Sequence, residues 1–148
     1  RDGEDRSDAF LAGVLAHVRE ITAFLNPVES SYRRLGEHKA PRYITWSPEN
    51  RSQLIRIPAA QGEYKRIELR SPDPTANPYL AYALLIHAGL DGIRRGLTAP
   101  LPVNENLYTA SESLTSKLER LPGSLQEAKA LARESAFVAS ILPAGMLD

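Results

Sequence analysis

Apolar residues recur at Phe10, Leu11, Val14, Leu15, Val18, Ile21, Phe24 and Leu25, steps of three and four that lay one stripe along a helix. Ser7 or Asp8 is placed to cap its start. Asn26-Pro27 ends it, because the residue before proline is pushed out of the helical region and proline has no amide hydrogen to donate. His17 within this helix reads as a surface or boundary residue rather than a metal ligand. A second helix is predicted from Pro78 to about Arg95, with Asn77 as N-cap, Pro78 in its first turn, and Arg94, Arg95 and Gly96 closing its end. Its stripe is read as Tyr79, Leu80, Ala83, Ile86, His87, Leu90 and Ile93, with His87 a packed, hydrogen-bonded core residue and Gly89 a point of close backbone approach. A weaker helical signal at Leu114, Leu118 and Leu121 breaks at Pro122-Gly123, and Ser124-Leu125-Gln126-Glu127 is a capping box that opens a last helix.

Between the two strong helices the period changes. Runs at 42–46, 53–57 and 65–69 are β-prone, and the last two bracket the turn-rich stretch 58–64, which predicts an antiparallel pair. In the third run Ile67 and Leu69 point to one face while Arg66, Glu68 and Arg70 point to the other, since strand side chains alternate. The expected class is α+β, helices packed on a small antiparallel sheet.

With no cysteine, neither a disulfide framework nor a thiolate nucleophile is available. The longest apolar run ends at His87, far short of the ~20 residues a membrane span needs. No membrane partner is therefore expected, and without an apolar leader a cytoplasmic location is the default; the start at Arg1 suggests a fragment. The formal net charge is zero, yet its distribution is uneven. Residues 31–70 hold nine basic and four acidic side chains, and seven of the nine are arginine, whose planar fork grips carboxylate or phosphate at two points.

Arg66, Glu68 and Arg70 on one strand face admit two readings: a surface salt-bridge ladder, or an anion site with one hard oxygen ligand for a divalent ion. Arg51 and Arg56, around the preceding β-prone run, can lie beside them and favour the second. One carboxylate does not complete a metal site, and there is neither a Walker A loop nor G-x-G-x-x-G.

Asn26-Pro27, Ser31-Tyr32-Arg33-Arg34-Leu35, Ala40-Pro41, Asn50-Arg51-Ser52, Ile55-Arg56-Ile57-Pro58, Arg66-Ile67-Glu68-Leu69-Arg70, Pro72-Asp73-Pro74, Ala76-Asn77-Pro78-Tyr79-Leu80 and Gly89-Leu90-Asp91-Gly92-Ile93 follow in the order and spacing of one family. Across residues 10–108 the chain resembles the C-terminal part of the glutamine synthetase catalytic domain, most closely the bacterial dodecameric type. That family makes glutamine from glutamate, ammonium and ATP through γ-glutamyl phosphate, with divalent ions held between neighbouring subunits. The resemblance implies a core with the site residues over 10–96, a helical extension over 97–148, and a homo-oligomer, a dodecamer for the intact protein. It implies that Arg34 and Arg70 bind the glutamate carboxylates, that Arg51 is catalytic and faces the γ-phosphate, that Arg56 and Arg66 join Arg51 in binding ATP, and that Glu68 ligates Mg²⁺ or Mn²⁺.

Some positions depart from the pattern. The loop that normally brings a Glu before Ala-Pro is one residue shorter here and places Lys39 at that position, with Glu37 close by. A lysine there opposes ammonium, so a glutamate–amine ligase acting on a polyamine or another amine is the alternative. A non-catalytic scaffold of the same fold is a further reading. Tyr108 aligns with a segment carrying a modified tyrosine in some members, but the residues after it differ and no modification is expected. Nucleic-acid binding would rest on the basic island and on Tyr32, Tyr43, Trp46 and Tyr64 alone, and is not expected. The family's N-terminal domain and its other Glu and His metal ligands are not among these residues, so the chain alone is expected to be inactive.

Overall fold

The computed structural model describes residues 5–37, 40–59 and 65–147. Helix α1 spans Ser7–Leu25 and α2 spans Glu29–Arg34. Three two-residue strands follow, β1 (Trp46–Ser47), β2 (Ile55–Arg56) and β3 (Glu68–Leu69). Helix α3 (Pro78–Arg95) comes next, then α4 (Glu112–Thr115), α5 (Leu125–Glu134) and α6 (Ala136–Ile141). The class is α+β as expected.

Helix α1 is the central element, and it is buried on nearly all sides from Leu11 to Leu25. α3 packs along one side, while α5 and α6 close another. Neither Ser7 nor Asp8 caps α1 through its side chain. The Asp5 carboxylate accepts from the Ser7 amide at 3.0 Å, and Asp8 instead accepts from the Ala99 amide at 3.2 Å, tying down the extended segment after α3. Asn26 closes the helix as the sequence predicts, its backbone amide donating to Thr22.

The ends of α3 follow the sequence. Asn77 accepts from the amides of Tyr79 and Leu80, and Gly96 takes φ 61° at the C-cap. Its orientation does not. The stripe chosen from the large apolar residues lies largely outside, with Tyr79 85% and Ile86 52% exposed and Leu90 and His87 exposed with them, while Ala81, Leu84, Ala88, Gly89 and Gly92 face inward. The reason is backbone proximity. A Cβ on Gly13 would overlap the Ala88 carbonyl and come within 2.7 Å of the Gly92 amide nitrogen, and one on Gly89 would overlap the Phe10 ring. Small residues let α1 and α3 approach closely, and that contact decides which face of α3 is buried.

His17 is buried rather than peripheral. Its Nε2 lies 2.7 Å from Asp91 and its Nδ1 3.1 Å from Glu20, and its ring stacks on Phe137 at 3.8 Å. Asp91 also pairs with Arg94 and Arg95, and Ser135, the N-cap of α6, donates to Glu20. One histidine thus joins α1, α3 and α6.

The sheet order is β1-β2-β3, and it is mixed. β2 and β3 are antiparallel, as predicted, with Arg56 opposite Glu68. β1 and β2 run parallel, which the expected antiparallel sheet did not include. The run at 42–46 is shared between two partners. Its first part bridges Arg120 through Tyr43, with Ile44 and Leu121 donating across, so only its end reaches β2. Just Glu112–Thr115 of the weak signal before Pro122 is helical, whereas α5 starts at the predicted Ser124 cap, which accepts from Glu127 at 3.1 Å. The stretch 60–64 lies outside the described residues.

Candidate active site

Glu68 stands opposite Arg56 because the two are register partners, and alternation along the chain places Arg66 on the same side. Arg56 Nε donates to Glu68 Oε2 at 2.9 Å and its Nη2 to Oε1 at 3.3 Å; Arg66 Nε donates to Oε1 at 3.0 Å. The carboxyl of Glu68 is held below its ordinary range, foremost by the Arg56 hydrogen bond. Two guanidinium groups on one carboxylate leave an excess positive charge on this edge. A cleft of ≈ 800 Å³ adjoins it, lined by Ile57, Pro58, Lys65, Arg66 and Ile67 among others.

Arg34 reaches the residue that follows Arg70 at the exit of β3. The last turn of α2 carries Arg34 to the Ser71 carbonyl, to which its Nη2 donates at 2.8 Å. Arg70 is fixed by its backbone, its amide donating to Leu54 at 2.9 Å. Its positive charge acts on Tyr108, whose hydroxyl is nonetheless raised above its usual range, chiefly by burial. Asp73, just beyond, accepts from Ser31 and Thr75, and its carboxyl is lowered by these bonds and by Arg34, against the opposing effect of burial.

Arg51 is separate. It is exposed on the turn between β1 and β2, and among the described residues nothing pairs with it. The turn is well held. Ser47 accepts from the amides of Glu49 and Asn50, Asn50 accepts from Ser52, and Asn50 and Gln53 donate to the carbonyls of Asn104 and Glu105. The extended segment after α3 thus fastens the Arg51 turn, a link that sequence spacing gave no means of seeing.

Among the described residues no group of three or more His, Asp or Glu side chains is arranged to hold a metal ion. Glu68 is a suitable hard oxygen donor but stands alone and is engaged by arginine, so these residues do not by themselves make a metal site. The loop after α2 closes tightly, with Gly36 at φ 89° and its amide donating to Ala40 at 3.0 Å. Lys39 lies outside the described residues. The aromatic side chains weighed for nucleic-acid stacking are poorly placed for it, since Tyr32 is buried and half-buried Trp46 donates to the Pro100 carbonyl at 2.7 Å. No described helix is long and apolar enough to cross a membrane.

One contact beside Arg34, made by Asn26, was not expected from the sequence. Asn26 is fully buried, and its side-chain amide donates at 2.7 Å to the same Ser71 carbonyl that receives Arg34. The only signal in the sequence is the Asn-Pro pair, which reads first as a helix stop.

Comparison with known proteins places the chain in a family. The family model described as glutamine synthetase, catalytic domain, matches residues 3–148. A glutamine synthetase of Methanosarcina mazei is 46% identical over 136 residues, 90% of this chain and 30% of that protein. One of Thermotoga maritima is 49% identical over 122 residues, 80% of this chain and 28% of that protein. Among solved structures, a GmaS/ADP complex superposes with TM-score 0.81 at 34% identity, covering 97% of this chain and 35% of that one. GmaS without ligand does so with the same score at 35% identity, covering 97% and 33%. The chain spans under a third of the length of these curated relatives, and the match across nearly all of its own residues means that it belongs to the glutamine synthetase catalytic-domain family.

Proposed function

We propose that this chain forms the arginine-lined part of a ligase site that makes glutamine from glutamate and ammonium at the expense of ATP. The observation that carries it is the grouping of Arg56, Glu68 and Arg66 at one sheet edge, with Arg34 and Arg70 at the exit of the same strand. In this reading the γ-phosphoryl group of ATP passes to a γ-carboxylate oxygen of glutamate, leaving ADP. Ammonia then attacks the acyl carbon, phosphate departs, and the nitrogen loses a proton.

The residue roles are those the family resemblance implies, and charge and position are compatible with them. Arg56 and Arg66 bind ATP phosphates, and the adjoining cleft, with Ile57, Pro58 and Ile67 in its wall, suits the apolar part of a nucleotide. The ADP bound in the GmaS complex supports nucleotide use. Arg51, exposed and unpaired among the described residues, reaches the transferring phosphoryl group and offsets its developing charge. Arg34 and Arg70 hold the glutamate carboxylates. Glu68 contributes one oxygen ligand to Mg²⁺ or Mn²⁺, and the remaining ligands come from outside these residues. A homo-oligomer is supported by the exposed apolar side of α3, formed by Tyr79, Tyr82, Ile86 and Leu90.

The glutamine synthetase relatives favour ammonium over a polyamine as acceptor. The test is phosphate release by the intact protein supplied with ATP, Mg²⁺ and glutamate, comparing ammonium with putrescine. Release with ammonium is expected; no release with either amine would sink the reading.

A further inference from the structure

The buried side-chain nitrogen and oxygen atoms without a hydrogen-bond partner in the described residues include Asn26 Oδ1 and Ser71 Oγ, both on fully buried residues. They belong to the pair whose other contact is the bond from Asn26 Nδ2 to the Ser71 carbonyl. A leucine at 26 and an alanine at 71 would fill much the same space without leaving an unsatisfied oxygen. With its oxygen unpaired, the amide adds less to stability than a fully bonded one, through its single bond to the Ser71 carbonyl.

The Ser71 carbonyl has two lone pairs, one for Asn26 Nδ2 at 2.7 Å and one for Arg34 Nη2 at 2.8 Å. Tyr32, on the same short helix as Arg34, donates its hydroxyl to the Asn26 carbonyl at 2.8 Å, and the Asp73 amide donates to Leu25 at 3.1 Å. With the Arg70 amide on Leu54, residues 70–73 are anchored on both sides, and Asn26 fixes the carbonyl between these anchors.

We infer that Asn26 is a positioning residue: by orienting the Ser71 carbonyl it sets the angle at which Arg34 leaves that carbonyl and faces an amino-acid carboxylate, alongside Arg70. This rests on the proposed glutamate-binding role of the two arginines. Asn26 is fully buried and acts through the Ser71 carbonyl that it shares with Arg34, so its effect falls on the carboxylate substrate and not on the nucleotide.

Two variants test it, Asn26→Leu, which removes the amide and keeps most of the volume, and Asn26→Ala, which removes both. In the intact enzyme both should raise the glutamate KM about tenfold while the ATP KM and kcat stay within about threefold, since about 1.4 kcal/mol of lost binding is a tenfold change. Equal losses in both KM values and in kcat would indicate a merely structural role and overturn the inference. In parallel, the guanidinium NMR signals of Arg34 in the 148-residue chain should lose their hydrogen-bonded shift in either variant, while those of Arg19 and Arg56 stay in place. Unchanged Arg34 signals in a folded variant would overturn it. If the wild-type enzyme releases no phosphate at all, the functional reading fails, and the NMR comparison still decides whether Asn26 sets Arg34.

Discussion

At the scale of single residues, the buried charges of the chain are arranged in two different ways. Asp91 is held by His17 first, then by Arg95 and Arg94, and its carboxyl lies far below the ordinary carboxylate range. Removing it leaves His17 and two arginines without their shared partner at a three-helix junction. Asp91→Ala should therefore cost about 2 kcal/mol, since the buried His17 ring loses its 2.7 Å partner, whereas Arg94 and Arg95 are exposed to solvent. Urea unfolding would measure this, and a loss under 1 kcal/mol would show that water or Glu20 takes over. Glu68 sits at the edge instead, where Arg56 and Arg66 converge from two strands, so its environment points to chemistry more than to stability. The Arg66-Glu68-Arg70 alternation made that edge legible in the sequence. Asn26 was not legible, because an amide whose partner is a carbonyl 45 residues away has no local signature.

At the scale of elements, both ends of α3 and the buried stripe of α1 were readable, and the buried face of α3 was not. Asn77, Pro78 and Gly96 act through neighbours two or three residues away, so spacing suffices to assign them. The buried face of α3 depends on α1. Most of the circumference of α3 is apolar, and its large residues Tyr79, Tyr82, Ile86 and Leu90 remain outside because the glycine and alanine side permits the closer approach. Gly13→Ala tests this directly. The added methyl meets backbone atoms of Ala88 and Gly92 that no rotamer change can move, so a loss of about 3 kcal/mol is expected. Chemical denaturation decides the matter, and wild-type stability in that variant would show that the helices do not cross so closely. The mixed sheet has a similar origin, since the pairing of 42–44 with 119–121 leaves only Trp46 and Ser47 to run beside β2.

Across the whole molecule, the depressed carboxyls set a direction for acid stability. Asp91, Asp73 and Glu68 all have folded values below their ordinary 3.8, 3.8 and 4.5. A group whose value is lowered on folding contributes fully above its unfolded value, and the contribution disappears as the pH falls toward the folded one. Thermal stability should thus be unaffected by these three groups between pH 5.5 and 7, roughly a unit above the highest ordinary value, and decline below about pH 4.5. Calorimetry at pH 7, 5.5, 4 and 3 would follow this, and a midpoint unchanged down to pH 3 would contradict it. Asp91→Ala should lose part of the decline.

What the sequence determined by itself was whatever depends on near neighbours: the α+β class, the extents of α1 and α3, the caps of α3 and the N-cap of α5, the antiparallel pair of β2 and β3, and the shared side of Arg66 and Glu68. Its ordered motifs also carried the family, which the comparisons establish. Only the tertiary structure decided which side of α3 is buried, that His17 joins three helices, that β1 runs parallel to β2, and that Asn26 and Arg34 share one carbonyl. The physical reason is range. Helix periodicity, capping and strand alternation act over a few residues, whereas close backbone approach and shared acceptors bring together groups from distant parts of the chain, and no spacing along it records them.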